Sequence, residues 1–448
     1  MNKKLPIILL FLLALTAAAH AQWQNDFTLE DENQLDGGLG MTWIDGEAYY
    51  TIGIAPDLSF GKLGFGLNIQ LLYNAETGKI RTMDWDSAAD YARLIRYIRY
   101  GHKGDPFYSR IGALDRARVG HGYLMNFYRN QINYDERKIG LVADADLGAL
   151  GFESLTNNLG RFEVLGARLY YRPLWTSEIP VLKHIAIGAS FVTDQDPDGR
   201  TATSDDVAAW GIDAEMPLIR SLGFNAMLYA DHAQFVAYGH GQAVGISAEF
   251  DGLFSMAKFG VAFERRWMGR EFIPNFFGPF YEVHRYASTQ TLINHFESLG
   301  GDSTGVSYPS DMDTRVAKHT LLPMMQQRRK GWYGGLYIDL LHLVKAVGTY
   351  QKIDGQPHSG ELHMDARLSP SIPFIAAEAG YDKIGMEHLK DMFTLDERSV
   401  AWLGLGYKIN AYMMIFVDYI WNFKWDENKK RYKTQERFQP RLAFRYHF

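Results

Sequence analysis

The end of the chain alternates strictly between apolar and polar side chains. One set comprises Phe438, Pro440, Leu442, Phe444, Tyr446 and Phe448. The interleaved set comprises Arg437, Gln439, Arg441, Ala443, Arg445 and His447. Because successive side chains of a β-strand point to opposite faces, a period of two predicts a strand. One face of this strand should meet an apolar environment and the other should meet water.

The same alternation recurs along the chain. In residues 165–172, Leu169 and Tyr171 share one face, whereas Arg168 and Arg172 share the other. Comparable segments begin near Leu67, Ile139, Trp210, Val244, Phe259, Leu362 and Ala411. A soluble β-sandwich would alternate too, with its charged face outward. The connections between segments favour a different architecture, because short and long connections alternate along the chain.

Short turns are predicted at 56–62, 102–106, 147–151, 217–222, 251–254, 340–343, 369–373 and 409–410. Longer loops are predicted at 75–92, 115–136, 194–206 and 268–330. The connection at 173–183 is an exception, because it is long although it lies at the end of the barrel that has the short turns. This pattern is typical of a transmembrane antiparallel β-barrel, an all-β fold with short turns at one end. We expect about 20 strands from Gly37 onward, with 18 as the alternative. A barrel of that width has a lumen that is water-filled or blocked by loops.

The start of the chain has the layout of a secretory signal peptide. Lys3 and Lys4 precede an apolar run from Leu5 to Leu15, and Ala19-His20-Ala21 supplies an A-x-A cleavage site. Residues 1–21 are therefore predicted to be removed, and 22–36 to form a short polar periplasmic lead-in. Residues 37–448 are predicted to be a single barrel domain. The lead-in is too short to be the plug domain of the largest outer-membrane transporters.

Composition narrows the classes of partner. The chain has 46 basic and 52 acidic residues, and loss of the two lysines in the signal leaves a net charge of −8. An acidic chain is a poor nucleic-acid binder, so no nucleic-acid partner is expected. There is no cysteine, which excludes disulfides and thiolate metal sites. After the signal, no run of 18 apolar residues predicts a helical membrane span.

The aromatic C-terminal strand resembles the strand by which Gram-negative outer-membrane barrels are recognised for assembly. Together with the signal segment and the alternating wall, it makes the chain similar to porin-like barrels, although it matches no particular porin family. The resemblance implies an outer-membrane location, contact with lipid, and engagement of the barrel-assembly machinery by the strand ending at Phe448. It also implies passive diffusion of small hydrophilic solutes. No segment indicates an oligomeric state.

The stretch from Arg116 to Asn130, RARVGHGYLMNFYRN, combines several cationic side chains with two flexible glycines. Folded into the lumen, it would place Arg116, Arg118, His121 and Arg129 at a constriction, since charged side chains set pore selectivity. The alternative is a charged surface loop. A second basic run, Arg93, Arg96 and Arg99, fits either a loop helix or a strand at the membrane edge.

Charged residues on the polar faces of the strands are candidates for the pore lining. They are Arg168, Arg172, Asp213, Glu215, Glu361, Asp365, Asp418, Arg437, Arg441 and Arg445. One hypothesis sets the three C-terminal arginines across the lumen from a wall bearing Glu361, Asp365, Glu378 and Asp382. The alternative is that lumen charges pair with their neighbours. Either arrangement mixes signs and predicts weak ion selectivity.

The loop of residues 269–330 is unusually long, and its aromatic and proline content argues against disorder. A short helix is predicted near Ser288–Leu299. The loop could cap the barrel, fold inward or bind a partner.

Catalytic and metal-binding motifs are not evident. His121 near Asp115, and His240 near Asp231, are the only suggested acid–base pairs, and the histidines have no metal-ligand spacing. We therefore predict a non-enzyme without cofactor or metal. Two alternatives stay open: a closed or plugged barrel with a structural, export or adhesion role, and, with less support, an outer-membrane hydrolase.

Overall fold

The computed structural model describes residues 33–44, 46–85, 91, 94–133, 138–199, 205–221, 223–252, 256–304, 316–426 and 431–447. The predicted signal peptide, most of the lead-in, Arg93 and Phe448 lie outside these ranges. The predictions made for them therefore stay predictions.

Strands dominate the described chain. They are β1 (Gln34–Ile44), β2 (Glu47–Phe60), β3 (Leu63–Leu67), β4 (Ile69–Asn74), β5 (Ile95–Tyr100), β6 (Phe107–Gly112), β7 (Gly140–Asp146), β8 (Leu150–Thr156), β9 (Val164–Tyr171), β10 (Ala186–Asp194) and β11 (Val207–Arg220). The remaining strands are β12 (Phe224–Phe235), β13 (His240–Asp251), β14 (Ala257–Met268), β15 (Arg329–Leu340), β16 (Val344–Ile353), β17 (Gly360–Leu368), β18 (Ile375–Met386), β19 (Ser399–Lys408), β20 (Met413–Asp426) and β21 (Arg431–His447).

The strands form one closed antiparallel barrel. Each strand pairs with its neighbours in the chain, and β1 pairs with β21 to close the wall. The segments β3 and β4 are two halves of one wall strand, because β2 pairs with both of them. The barrel therefore has 20 strands, which confirms the predicted number, and the alternative of 18 is wrong. The wall begins at Gln34, slightly before the predicted start at Gly37.

Both described ends of the chain lie at the same end of the barrel. The connections there are mostly tight, as between β2 and β3 or between β15 and β16, whereas the long loops lie at the opposite end. We refer to the two ends as inner and outer. The predicted exception is confirmed, since the inner connection between β9 and β10 is long and carries helix α1 (Pro180–Lys183). The remaining helices are α2 (Tyr281–His284), α3 (Thr289–Ser298) and the 3-10 turns Thr82–Asp84, Lys318–Met324 and Leu389–Phe393.

The outer face of the wall is apolar and the inner face is polar. Leu169 is 60% exposed and Phe263 is 54% exposed, whereas the adjacent Arg168 and Glu264 point inward and are buried. On β21, the described apolar residues Phe438, Leu442, Phe444 and Tyr446 are all exposed on the outer face. The predicted alternation is therefore confirmed. In water this belt would be unfavourable, but it suits contact with acyl chains.

The hydrophobic core lies inside the barrel rather than between two sheets. Two loops from the outer end fold into the lumen, and we name their described residues the first inner loop (113–133) and the second inner loop (269–304 and 316–328). Their buried aromatic and aliphatic residues include Tyr128, Phe272, Phe276, Phe277 and Phe296. These side chains pack against small inward residues of the wall such as Ala209, Ala233 and Ala243. The loops thus supply the bulk that wall side chains cannot provide in so wide a barrel.

The second inner loop is helical where the sequence predicted a helix. Helix α3 begins after Ser288, whose hydroxyl caps it by accepting a hydrogen bond from the Thr291 backbone N–H. Its buried face carries Leu292, Ile293 and Phe296. Of the three arrangements considered for this loop, folding inward is the one observed in the described residues. Among those residues, no helix is both long enough and apolar enough to cross a bilayer.

Substitution of Ile246 by arginine should show which face of the wall meets lipid. Ile246 lies mid-way along β13 and is exposed on the apolar face. Ile246→Arg should lower the free energy of unfolding in lipid vesicles by about 2–4 kcal/mol, since the charge enters the hydrocarbon layer. Gln242→Arg, on the same face near the outer end of the same strand, should cost only about 0–1 kcal/mol. Equal losses in a denaturant titration would contradict this orientation of the wall.

Candidate functional site

The first inner loop crosses the lumen and is fixed to the wall on both sides. It turns back on itself through paired backbone hydrogen bonds between Ala117 and Tyr128. At its tip, the Gly120 backbone N–H donates to the Glu153 carboxylate of β8 at 3.0 Å. Gly120 has a φ of +56°, a conformation that glycine adopts without steric strain. The loop therefore folds into the lumen, as one of the two arrangements considered from the sequence predicted.

The tip of the loop lies against a buried ionic cluster on β9, β11 and β12. Arg168 donates from Nε to Asp213 at 2.9 Å and from Nη2 to Glu215 at 2.6 Å. His121 lies 3.0 Å from Asp231 through Nδ1 and 3.3 Å from Glu215 through Nε2. His121 therefore pairs with these carboxylates and not with Asp115. We name Arg168, Asp213, Glu215, His121 and Asp231 the dry cluster. Its side chains are between 3% exposed, at Arg168, and 17% exposed, at Glu215.

The two ends of the same loop are held by β17 and β18. Arg116 forms an ion pair with Asp365, and Arg129 Nη2 lies 2.9 Å from Asp382. Between these carboxylates stands His363, with Nδ1 2.7 Å from Asp382 and Nε2 3.0 Å from Asp365. A continuous row of alternating charges thus joins both ends of the loop to the wall. Buried pairs of this kind fix geometry more surely than they add stability.

The second inner loop is anchored by another buried network at the outer end. Arg285 donates to Asp194 at 2.8 Å and to Glu163 at 2.9 Å. Lys138 donates to Glu163 at 2.7 Å and to Glu282 at 2.8 Å. Burial acts to raise the pKa of Glu163, but the adjacent Lys138 and Arg285 outweigh it and lower this pKa to about 2. Glu163 therefore stays ionised throughout the neutral range.

The lumen charges of β20, β21 and β1 have a different environment. Arg441 Nε donates to Asp418 at 2.9 Å, and Arg445 Nε donates to Asp36 at 2.7 Å. The side chains of Arg441 and Arg445 are 29% and 23% exposed, although they face into the barrel. Water therefore reaches this part of the lumen. Arg441 and Arg445 pair with neighbouring carboxylates, as in the second of the two arrangements considered from the sequence.

The remaining predicted lumen residues lie elsewhere. Arg172 binds Asp146 at 2.8 Å near the inner end, between the rings of Tyr170 and Trp175. Glu361 accepts a hydrogen bond from Gln351. Arg118 lies close enough to Glu153 to act on it electrostatically.

In the second basic run, Arg96 forms an ion pair with Asp57, which a bulge in the β3–β5 pairing permits. Arg99 donates to the Gly101 carbonyl at 2.9 Å.

A cavity of about 210 Å³ separates the first inner loop from the wall of β19, β20 and β21. Its lining residues are Asp115, Arg129, Gln131, Ile132, Val400, Ala401, Trp402, Ile420, Asn422 and Arg437. Two of the predicted site residues, Arg129 and Arg437, thus meet at this cavity. It lies on the same side of the lumen as the hydrated arginines of β21.

Several residues of these clusters were not found from the sequence. Asp36 was assigned to the lead-in, yet it lies on β1 and pairs with Arg445 across the closure of the barrel. Glu282 and Arg285 lie within an aromatic stretch of the second inner loop. Their opposite charges at a spacing of three could have indicated from the sequence that they form an ion pair. The partners of His121 could not be predicted, because Asp231 lies 110 positions away in the chain.

Comparisons with known proteins give a broad likeness in architecture. No protein-family model matches the chain, and no curated protein matches it. Among solved structures, the outer membrane protein opdK from Pseudomonas aeruginosa aligns at 9% identity over 93% of this chain and 98% of that chain, with a TM-score of 0.32. CdiB from Acinetobacter baumannii aligns at 7% identity over 92% and 60% of the two chains, with a TM-score of 0.27. The ferric-catecholate import receptor Fiu from E. coli K12 aligns at 11% identity over 93% and 82%, with a TM-score of 0.34.

The deciding observations are the barrel's own: 20 antiparallel strands, complete closure, an apolar outer belt and a charged lumen. A closed antiparallel wall satisfies every ladder hydrogen bond and offers lipid only apolar side chains. The chain is an outer-membrane β-barrel protein.

Lys318 makes the packing of the second inner loop sensitive to pH. Its Nζ donates to the Phe276 carbonyl at 2.8 Å and lies over the Phe276 ring. Burial lowers the pKa of Lys318 to about 7, although Glu361 opposes this shift. The unfolded lysine, with a pKa of about 10.4, still binds the proton that the folded loop has released. The stability of the loop should therefore rise as pH increases from about 7 to about 10.

Lys318→Met should remove this pH dependence, because methionine has a similar length and no charge. We expect the wild-type loop to resist protease better at pH 9.5 than at pH 6.5, and the variant to resist equally at both. Lys390→Met, at an exposed outer-loop lysine, is the matched control and should behave like the wild type. The same pH slope in all three proteins would exclude Lys318 as its source.

Proposed function

We propose that this barrel is a porin-like channel for passive diffusion of small hydrophilic solutes. Passage would occur off-centre, between the inner loops and the wall formed by β19, β20, β21 and β1. The observation that carries the proposal is the contrast in hydration between the two sides of the lumen. The side chains of Arg168 and Asp213 in the dry cluster are 3% and 4% exposed, whereas those of Arg441 and Arg445 are 29% and 23% exposed.

The position of the apolar core supports this passage. The core formed by the inner loops packs against inward residues of β8 and of β10 to β13, including Leu155, Val192, Ala209, Phe235 and Ala243. That side of the lumen is occupied by buried side chains. On the opposite side, Arg441 and Asp418 are charged and partly exposed at mid-height, next to a small buried cluster of Met414, Phe416 and Ala443.

The chemistry of the open side suits dipolar solutes. Arg441 with Asp418, and Arg445 with Asp36, present both signs of charge within a few ångströms of each other. Paired charges attract either end of a polar molecule but create little net field. The passage should therefore favour hydrated, polar molecules over apolar ones and discriminate weakly between cations and anions.

Single-channel recording of the refolded protein in a planar bilayer tests the proposal. Discrete, long-lived conductance steps are the expected result. Silence from protein that is demonstrably folded and inserted would overturn the proposal.

A closed barrel with a binding, export or adhesion role is the second candidate, and one observation favours it. Besides the main core, a smaller cluster at the outer end joins Ile132, Phe280 and Val283 of the loops to Val400 and Phe423 of the opposite wall. The described loops thus touch both sides of the lumen near its mouth. Under this alternative, wild-type protein would show no conductance steps. Phe280→Ala would loosen the cluster, and conductance steps would then appear.

Ion selectivity provides a prediction specific to the open side. Arg441→Gln leaves Asp418 with an unneutralised charge in the hydrated passage. The ratio of cation to anion permeability should rise roughly twofold or more, because an unpaired lumen carboxylate attracts cations. Reversal potentials in a salt gradient measure this ratio.

Lys390→Gln removes one positive charge from an exposed outer loop and serves as the matched control. It should leave the reversal potential nearly unchanged, since exposed charges are screened within about 10 Å at 0.1 M salt. Equal shifts for both variants would place the permeation path away from Arg441.

A further inference from the structure

The cavity between Arg129 and Trp402 has the features of a binding site. We propose that it binds a small hydroxy-carboxylate, which passes through the channel by way of this site. The inference rests on the proposed function in so far as the site lies on the permeation path. Binding itself can be tested without an open pore.

Arg129 supplies the first reason. Arg129 is only 8% exposed, and its guanidinium lies 4.3 Å from the centre of the Trp402 ring. Although Nη2 approaches Asp382 at 2.9 Å, neither Nη2 nor Nε has an acceptor in hydrogen-bonding geometry among the described residues. Buried guanidinium donors without acceptors are costly. A carboxylate is the ligand whose two oxygens match the planar fork of such donors.

Asn422 supplies the second reason. It lines the same cavity and is 7% exposed, and within the described part of the chain its side-chain Oδ1 is buried without a hydrogen-bond donor. An amide oxygen accepts hydrogen bonds from hydroxyl or amine groups. The cavity is therefore lined by two residues that hold polar atoms without a hydrogen-bond partner among the described residues, donors on Arg129 and an acceptor on Asn422. A molecule that carries a carboxylate and a neighbouring hydroxyl satisfies both.

The wall beneath the cavity is shaped for a small ligand with a hydrocarbon backbone. Trp402, Ile420 and Arg437 stand side by side on β19, β20 and β21, as the strand register requires. Trp402 lies close against the wall because its neighbour is Gly380, where an added Cβ would approach the indole to 1.6 Å. The indole and Ile420 offer apolar contact to the C–H groups of a ligand.

The charge of the lining favours an anion. Arg129 and Arg437 line the cavity against a single carboxylate, Asp115, which is exposed. The Asp382 carboxylate behind Arg129 is shared with His363 at 2.7 Å, so it neutralises Arg129 only in part. The volume of about 210 Å³ is several times that of one water, which suits a compact solute.

A matched series of three-carbon probes tests the two halves of the site. Lactate carries the carboxylate and the hydroxyl, propionate carries only the carboxylate, and 1,2-propanediol carries only hydroxyls. Equilibrium binding to the folded protein in detergent micelles should follow the order lactate, propionate, 1,2-propanediol. Equal binding of lactate and the diol would overturn the assignment of a carboxylate site.

Two cavity variants separate the roles of the donors and the acceptor. Arg129→Gln should weaken lactate and propionate at least tenfold, because the charged fork is lost. Asn422→Ala should weaken lactate severalfold and leave propionate unchanged. Arg129→Lys keeps the charge beside Asp382 and should retain part of the affinity, which separates loss of the site from loss of folding.

Arg265→Gln is the control variant. Arg265 points away from the lumen and pairs with Asp354 at 2.5 Å on the outside of the wall, so its loss should not change lactate binding. Each variant is checked for folding by the mobility shift of unheated protein on a denaturing gel. If lactate binding survives Arg129→Gln, the proposed site is wrong.

Channel recording keeps this inference distinct from the proposed function. If the channel conducts, lactate should produce brief, concentration-dependent interruptions of the current that Arg129→Gln abolishes. Binding in micelles without conductance would reject the passive channel and keep the binding site. Conductance without lactate binding would reject the site and keep the channel.

Discussion

Closure of the backbone hydrogen-bond ladder is the constraint on which the rest of this structure depends. In hydrocarbon an unpaired N–H or carbonyl costs several kcal/mol, so the wall strands must all find partners. Pairing of β1 with β21 provides the last set of partners. Once 20 strands are closed in this way, the diameter follows, and with it a lumen too wide for wall side chains to fill. The inner loops and their anchors are consequences of that width.

The lumen is filled on one side and hydrated on the other, and the difference has a physical origin. The inner loops bring an aromatic core, which needs an apolar or small-residue wall to pack against, and β11 to β13 provide alanines at those positions. Charges that remain under this core are paired tightly, as Arg168 is with Asp213 and Glu215. Where no core covers the wall, Arg441 and Arg445 can keep water as a partner, and a passage for polar solutes becomes possible.

The anchors of the inner loops are ionic rather than apolar. Arg116, Arg129, His121 and Arg285 each reach carboxylates of the wall or of an adjoining loop. An apolar core alone would hold the loops in the lumen without fixing their register, whereas charge pairs accept one geometry. The cavity beside Arg129 depends on this, since the loop must stop short of β19 to β21 to leave it open.

The sequence by itself determined the wall. Alternation of period two, seen in residues 165–172 and again in 437–447, is set by local geometry, and the apolar belt follows from it because lipid and lumen lie on opposite faces. The approximate strand number and the helix after Ser288 were also predictable, because each depends on a local pattern in the sequence. The lumen was decided only by tertiary structure. The partners of His121, Arg129 and Arg445 lie 110, 253 and 409 positions away. No local pattern encodes which lumen charges meet, because barrel closure and the path of the inner loops bring them together.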